Sequence, residues 1–309
     1  MTDSRARFIL PFAIMLAILA VSTASILIRF AQNDGMPSLV IAALRMTFAS
    51  LLLAPLAITK YLDEIKRFTR TEILLGAFSG IFLAVHFATW ISSLEYTSVA
   101  SSVVFVSTGP LWVALLSPFL LKEHLARTAI IGLALSLAGG TIIGLSDACV
   151  WDVGLSCPVL QDIMQGRAMW GNFLALLGAL TITGYLIIGR KLRSGISLIP
   201  YIFMVYGMAA IVLIIIMFAS DSSPFGYAPK TYGWIFLLAA LPQLIGHSTF
   251  NWALKYMTAA FVAVTTLGEP IGSAILAFFI LKEIPTLATL VGGVLILAGI
   301  HLAARQPKP

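Results

Sequence analysis

Charged residues are scarce in this sequence of 309 residues. Asp, Glu, Lys and Arg make up 10% of the chain, whereas hydrophobic residues make up 60%. A soluble domain usually carries about 25% charged residues, so this composition excludes a soluble globule with a polar surface. We therefore expect an integral membrane protein.

Several motifs that carry chemistry are also missing. The sequence has no Gly-x-x-x-x-Gly-Lys-Ser/Thr loop to bind ATP and no His-Glu-x-x-His pair to bind zinc. No nucleic-acid motif accompanies the net charge of +6. The four histidines are dispersed, at His86, His124, His247 and His301. We expect no enzymatic activity, no cofactor, no metal site and no nucleic-acid partner.

Long apolar runs fill most of the chain instead. Each is close to the roughly 20 residues that a helix needs to cross the hydrocarbon core of a bilayer, and none alternates as a strand does. The first run lacks a convincing cleavage site and is interpreted as a retained span. The predicted transmembrane helices lie at 8–31, 38–58, 72–93, 98–121, 126–146, 168–189, 198–219, 231–253, 259–281 and 285–304.

The chain contains an internal duplication. Residues 94–139 reappear as residues 254–299 without a gap, at a constant offset of 160. The offset pairs Tyr96 with Tyr256, Pro110 with Pro270, Lys122-Glu123 with Lys282-Glu283, and Gly132 with Gly292. We predict a first five-helix repeat at 1–146, an external loop at 147–167 and a second five-helix repeat at 168–309.

The placement of Lys and Arg predicts the orientation. Basic residues concentrate in alternate loops, and the positive-inside rule puts those loops and both termini in the cytoplasm. Because each repeat has an odd number of spans, the second repeat would enter the membrane with opposite polarity. The predicted fold is an all-α integral membrane protein of the cell membrane, with ten transmembrane helices in two inverted five-helix repeats.

Both cysteines, Cys149 and Cys157, lie in the predicted external loop. An oxidising exterior permits a disulfide between them, but sequence spacing alone does not prove the geometry. A disulfide and two free thiols both stay open.

Small residues recur every four positions on the fifth predicted span, at Gly132, Ser136, Gly140 and Gly144. This spacing lets helix backbones approach closely where lipid surrounds them. The pattern favours packing inside the bundle, with a homodimer interface as the alternative. Monomer and homodimer therefore both stay open.

Two charged residues lie deep inside the spans, and because a charge at bilayer depth costs about 2.5 kcal/mol or more, each needs a partner, a wet cavity or a functional role. Glu269 lies mid-span before Pro270, which removes a backbone donor and opens the helix locally. Arg45 lies inside the second span. Either the two form a structural ion pair, or Arg45 binds a substrate anion while Glu269 handles protons or cations.

Two rows of polar and aromatic side chains accompany these charges. Gln243, His247 and Asn251 follow each other at four-residue spacing on the eighth span, which predicts one shared helical face. The third span carries a comparable row. The predicted substrate cavity comprises Phe82, His86, Trp90, Thr108, Tyr185, Gln243, His247, Asn251, Thr265 and Glu269. Such linings suit substrates with an apolar body and a polar end.

These features together resemble the EamA-type branch of the drug/metabolite transporter superfamily. The resemblance rests on Arg45, on Trp90, Leu94 and Tyr96, on the Pro110 span that ends in Lys122-Glu123, and on Glu269-Pro270 in the span that ends in Lys282-Glu283. It implies an inverted five-plus-five bundle with a central cavity built mainly by the third, fourth, eighth and ninth spans. The glutamate that the family carries before its mid-span proline is present as Glu269, whereas the first repeat has Gly109.

Members of that family move amino acids, drugs, sugars and related metabolites. We expect a secondary transporter that exports amino acids or similar small metabolites or drugs by alternating access, with a small-molecule substrate and a lipid bilayer as its partners. Coupling to protons and uncoupled facilitation both stay open. The alternative class, an intramembrane enzyme, is disfavoured because no paired nucleophile and base is visible.

Overall fold

The computed structural model describes residues 3–97, 102, 105–123, 125–146, 150–151, 155–156, 166–281 and 287–304. Within these ranges the regular elements are helices and two short strands, β1 (Val150–Trp151) and β2 (Leu155–Ser156), which pair antiparallel. Both strands belong to the predicted external loop. Cys149 and Cys157 lie outside the described residues.

The helices follow the predicted apolar runs. The first half contains α1 (Asp3–Ser22), α2 (Ala24–Asn33), α3 (Ser38–Lys60), α4 (Leu62–Lys66), α5 (Arg70–Tyr96), α6 (Gly109–Leu120) and α7 (Arg127–Ser146). The second half contains α8 (Gly166–Arg193), α9 (Leu198–Ala219), α10 (Pro229–Leu238), a π-helix (Ala239–His247), α11 (Ser248–Ala253), α12 (Ala259–Thr266), α13 (Glu269–Leu281) and α14 (Leu287–Ala304).

Seven helical segments of the described chain are long and apolar enough to cross a membrane. Three further predicted spans coincide with shorter apolar helical stretches, Gly109–Leu120, Arg127–Ile142 and Leu290–Ala303. The prediction of a helical, multi-pass membrane protein is confirmed at this level.

Large apolar side chains face outward from these helices. Phe119 is 79% exposed, and Ile215 and Leu297 are each exposed by more than half. In water such a surface would aggregate, whereas lipid tails solvate it at no cost. The outer surface is therefore suited to lipid, and the buried polar residues mark the interior.

Several spans are interrupted within the described residues. Thr23 separates α1 from α2 and donates its hydroxyl to the carbonyl of Ala20 at 2.8 Å. Leu267 and Gly268 separate α12 from α13, and the eighth span changes to π-helix at Ala239. Such interruptions leave backbone groups outside the regular helical ladder at membrane depth.

The chain forms two compact units, each of which takes helices from both halves of the sequence. The first unit comprises residues 1–88 and 184–257, and the second comprises residues 89–183 and 258–309. In the first unit α3 packs on α9, and α1 packs on the π-helix. In the second unit α7 packs on α14, and α6 packs on α12.

Helices α7 and α14 approach so closely that glycine is required. A Cβ atom added to Gly132 would collide with the carbonyl oxygen of Gly299, and one added to Gly139 would collide with that of Gly292. Ser136 donates a hydrogen bond to the carbonyl of Ile296 at 3.4 Å. The two helices therefore run in opposite directions, and the prediction that Gly132 and Ser136 serve packing inside the bundle is confirmed. Gly140 lies off this contact, with no neighbour within 4 Å of an added Cβ.

Candidate functional site

Arg45 is the most deeply buried charged side chain described in the first unit, at 1% exposure. Its Nε donates to Oε1 of Gln243 at 3.1 Å. Its guanidinium carbon lies 4.2 Å from the centre of the Phe87 ring, a distance typical of cation–π contacts. Arg45 thus points into the protein and joins α3 to α5 and to the π-helix.

Phe87 also contacts both histidines of this region. Its ring centre lies 5.5 Å from that of His247 in a T-shaped arrangement, and 5.0 Å from that of His86. The sequence-based prediction missed Phe87, because it lies off the row formed by Phe82, His86 and Trp90. The available signal was its position directly after His86.

The eighth span departs from the predicted spacing. Gln243 and His247 belong to a nine-residue π-helix, Ala239–His247. The regular α-helical geometry expected for Gln243, His247 and Asn251 is therefore not observed between Gln243 and His247. The physical reason begins with Pro242 inside this segment, since proline lacks the N–H that an α-helical bond requires.

Asn251 and Tyr185 form a second contact in the first unit. The Nδ2 of Asn251 donates to the hydroxyl of Tyr185 and, at 2.8 Å, to the carbonyl of His247. Tyr185 is 1% exposed. The sequence-predicted residues Tyr185 and Asn251 are thereby brought together.

Two buried side-chain amide atoms in this region lack a hydrogen-bond partner among the described residues. One is Nε2 of Gln243, a donor, and the other is Oδ1 of Asn251, an acceptor. An unsatisfied buried amide group costs about 1–3 kcal/mol, and native proteins rarely leave such groups unmatched. This donor and this acceptor are suited to a polar ligand or to water.

Phe82 is placed by close contact with α8. A Cβ added to Gly184 would lie 2.8 Å from the Phe82 ring. The ring therefore lies flat against the α8 backbone in the first unit. It joins Arg45, His86, Tyr185, Gln243, His247 and Asn251 as the sequence-predicted residues of that unit.

The second unit contains the other four predicted cavity residues, Trp90, Thr108, Thr265 and Glu269. The hydroxyl of Thr108 donates to the carbonyl of Phe105 at 2.7 Å, and that of Thr265 donates to Val262 at 2.6 Å. Both hydroxyls thus bond their own helical turn, as threonines in helices often do.

Glu269 and Gly109 occupy matching positions in the second unit. Glu269 is the first residue of α13, after the interruption at Leu267 and Gly268, and Gly109 is the first residue of α6. A helix N-terminus stabilises a carboxylate. At Gly109 the side chain of Ile182 occupies the space next to the backbone, since an added Cβ would lie 3.2 Å from it.

Asp34 forms a polar cluster at one end of the first unit. Its carboxylate accepts from Nζ of Lys230 at 2.7 Å, from Thr231 at 3.0 Å and from Trp234 at 3.3 Å. These donors hold the pKa of the Asp34 carboxyl below its usual value, with the hydrogen bond from Lys230 as the largest cause. The cluster joins the end of α2 to the start of α10, and no spacing pattern in the sequence indicates it.

The C-terminal turn of α8 caps the end of the eighth span. Nε of Arg193 donates to the carbonyl of Asn251 at 3.0 Å, and Nη1 of Arg190 donates to that of Leu254 at 2.7 Å. Arginines near carbonyls at a helix end satisfy acceptors that have no partner within the helix. These two residues, interpreted from the sequence as loop charges, also hold the helix that carries Asn251.

Among the described residues, no group of three His, Cys, Asp or Glu side chains could hold a metal ion.

The chain is similar to known protein sequences. The profile of the EamA-like transporter family matches the chain twice, at residues 9–145 and 169–305. An uncharacterized transporter of Archaeoglobus fulgidus is 25% identical over 95% of this chain and 96% of its own. A WAT1-related protein of Arabidopsis thaliana is 23% identical over 90% of this chain and 83% of its own.

A solved crystal structure has a similar fold. It superposes with a TM-score of 0.76, covering 94% of this chain and 95% of that one, at 18% sequence identity. At that identity the likeness concerns the fold alone.

Proposed function

The chain belongs to the EamA-like transporter family, and on that premise we propose that it is a secondary transporter that exports amino acids or similar small metabolites or drugs by alternating access. The relatives' names point to membrane transport and not to an enzyme. A transporter of this kind binds its substrate near the bilayer midplane, where discontinuous helices supply polar groups.

One observation carries the proposal. Gln243 and Asn251 present an unsatisfied donor and an unsatisfied acceptor, both buried, on one span of the first unit. At bilayer depth such groups are expensive, and a transported polar solute that binds them transiently would offset that cost. The nearby Arg45 and Phe87 add a cation and an aromatic surface.

An inverted repeat is the proposed architecture. At the offset of 160, Gly132 corresponds to Gly292 and Gly139 corresponds to Gly299. The contact of Gly132 with Gly299 therefore has a counterpart, which is the contact of Gly139 with Gly292. A twofold relation produces such reciprocal contacts. The antiparallel course of α7 and α14 and the two matches to the family profile also support the proposal. We keep the repeat boundaries 1–146 and 168–309 as part of it.

The proposed substrate contacts follow the predicted residues. In the first unit Arg45 would bind a substrate carboxylate, beside Phe82, His86, Tyr185, Gln243, His247 and Asn251. In the second unit Trp90, Thr108 and Thr265 would contribute, and Glu269 would carry the coupling proton. An amino acid offers the carboxylate for Arg45 and a side chain for the aromatic rings.

Flux through purified protein in proteoliposomes tests the proposal. Labelled amino acids are screened as substrates, with and without a pH gradient, against protein-free liposomes. Saturable flux of at least one amino acid is expected. Flux that saturates but ignores the gradient would favour the uncoupled facilitator, and no flux of amino acids, aromatic metabolites or cationic drugs would contradict the transport function.

A further inference from the structure

The π-helix of the eighth span is unusually long. It covers the nine residues from Ala239 to His247, whereas most π-helical segments are single-turn bulges, often at functional sites. A segment of this length needs support from neighbouring side chains. Pro242 accounts for one missing α-helical donor, but not for the whole segment.

Several hydrogen-bond donors lie near one carbonyl group of this segment, that of Gln243. The oxygen of Gln243 accepts from the backbone N–H of Ser248, five residues further along the chain, which is the π-helical bond. The side-chain hydroxyl of Ser248 donates to the same oxygen at 3.3 Å. The hydroxyl of Tyr206, on α9, lies 3.5 Å from that oxygen and 3.2 Å from Oγ of Ser248.

These donors favour one hydrogen-bond register. In an α-helix the Gln243 carbonyl would accept from the backbone N–H of residue 247. The carbonyl oxygen would then move away from the hydroxyls of Tyr206 and Ser248, which now both lie near it. Both side chains are buried, at 0% and 6% exposure, so water does not replace the lost bonds. The two hydroxyls therefore stabilise the π-helical register specifically.

The register decides where Gln243 points. A π-helix has roughly 4.4 residues per turn and an α-helix roughly 3.6, so four residues of π-helix turn the chain about 70° less. Gln243 would shift by about that angle relative to His247 if the segment became α-helical. The Gln243 side chain accepts from Nε of Arg45 at 3.1 Å, and that contact depends on its direction.

Helix α1 closes another side of the segment. A Cβ added to Gly246 would lie 3.3 Å from the backbone nitrogen of Val21 and 3.4 Å from the carbonyl oxygen of Ala17. The π-helix is thus held between α1 and the Tyr206 hydroxyl on α9. The Tyr206 contact reaches the backbone carbonyl of Gln243 and leaves the side chain of Gln243 to Arg45.

We propose that Tyr206 and Ser248 are positioning residues for transport: they hold the π-helical register that aims Gln243 at Arg45. The proposal rests on the transport function proposed above. It assigns these two hydroxyls no direct contact with substrate, and it adds to the site two residues that no sequence motif marks.

Hydrogen–deuterium exchange of purified protein tests the register directly. Tyr206→Phe and Ser248→Ala are each expected to increase deuterium uptake in peptides covering residues 239–251, while Ser248→Thr, which retains the hydroxyl, keeps the wild-type level. The matched control is Tyr201→Phe, on the same helix, which removes the buried hydroxyl bond to Ser79 at 3.0 Å. Its uptake at 239–251 is expected to stay at the wild-type level.

Transport kinetics test the consequence for the site. Tyr206→Phe and Ser248→Ala are expected to raise KM about 3- to 10-fold, the effect of losing one oriented hydrogen bond, with kcat changed less. Ser248→Thr and Tyr201→Phe are expected to keep the wild-type KM.

Two results would overturn the proposal: unchanged exchange and KM in Tyr206→Phe and Ser248→Ala, or equal changes in the Tyr201→Phe control. The absence of flux in the wild-type protein would contradict the transport function, whereas the exchange comparison would still decide whether the hydroxyls hold the segment.

Discussion

Ser136 donates a hydrogen bond to the carbonyl of Ile296, the residue that stands exactly 160 positions later. In the proposed inverted repeat, a residue that contacts its own counterpart would lie next to the axis that relates the two copies. Gly132 and Gly139 extend this contact on either side of Ser136, and their neighbours across it are Gly299 and Gly292.

Substitutions along this contact are expected to affect stability according to the available space. Gly132→Ala would push a methyl group against the backbone of α14 and should destabilise the protein by about 1–3 kcal/mol through overpacking. Gly140→Ala is the matched control, since nothing lies within 4 Å of the added Cβ. Thermal unfolding in detergent should give a lower midpoint for Gly132→Ala than for Gly140→Ala; equal midpoints would contradict the close packing.

The Asp34 cluster is expected to make stability depend on pH. Because the pKa of Asp34 is held below its ordinary value, the folded state favours the charged carboxylate. The stabilisation is therefore fully present above the unfolded pKa and is lost as the pH falls through the lower, folded pKa.

Thermal midpoints of the wild type and Asp34→Asn, measured from pH 7 downward, test this dependence. The wild type should have the higher midpoint at pH 7, and the difference should shrink below about pH 4. Asp221→Asn provides the control on an exposed loop carboxylate. A difference between wild type and Asp34→Asn that stays constant down to pH 2 would contradict the role of the charge.

Replacement of Arg45 is expected to weaken substrate binding. Arg45→Lys keeps the charge but loses the planar group that contacts both Gln243 and the Phe87 ring. Because lysine does not reproduce a stacked guanidinium, we expect KM for a carboxylate-bearing substrate to rise about 10-fold. Phe87→Leu, which removes only the ring, should have the smaller effect in the same flux assay. Wild-type kinetics in Arg45→Lys would remove Arg45 from the site.

Glu269 is expected to link flux to the pH gradient. Glu269→Gln retains the shape of the side chain but cannot carry a proton, so flux should no longer respond to an imposed gradient. Glu123→Gln is the control, because Glu123 accepts from the backbone N–H of Ala259 at 3.1 Å and an amide oxygen can accept the same bond. A response to the gradient that persists in Glu269→Gln would assign coupling to another group.

Periodicity and charge located the spans, because long apolar segments are the strongest signal that a sequence carries. They also identified Arg45 and Gln243 as polar residues inside the membrane. The π-helix could not be predicted in this way. Its register depends on Tyr206, which lies 37 residues before Gln243 in the sequence, and a local pattern contains no information about that contact.

The threonines show what a sequence leaves out about hydroxyl groups. Thr108 and Thr265 were predicted cavity residues because they carry hydroxyls in apolar spans, yet both hydroxyls bond carbonyls three residues earlier. Sequence shows that a hydroxyl is present but not whether its own helix satisfies it. The Phe87 contact with Arg45 was missed because its polar partner lies 42 positions away in the chain.

The seam between α7 and α14 also bears on how the protein can be assembled. It joins the last helix of each half through small residues and backbone atoms, so its recognition depends on shape and requires no covalent link between the halves. If the chain is expressed as two separate polypeptides, divided between residues 146 and 166, the two parts should therefore associate in the membrane and form the complete protein.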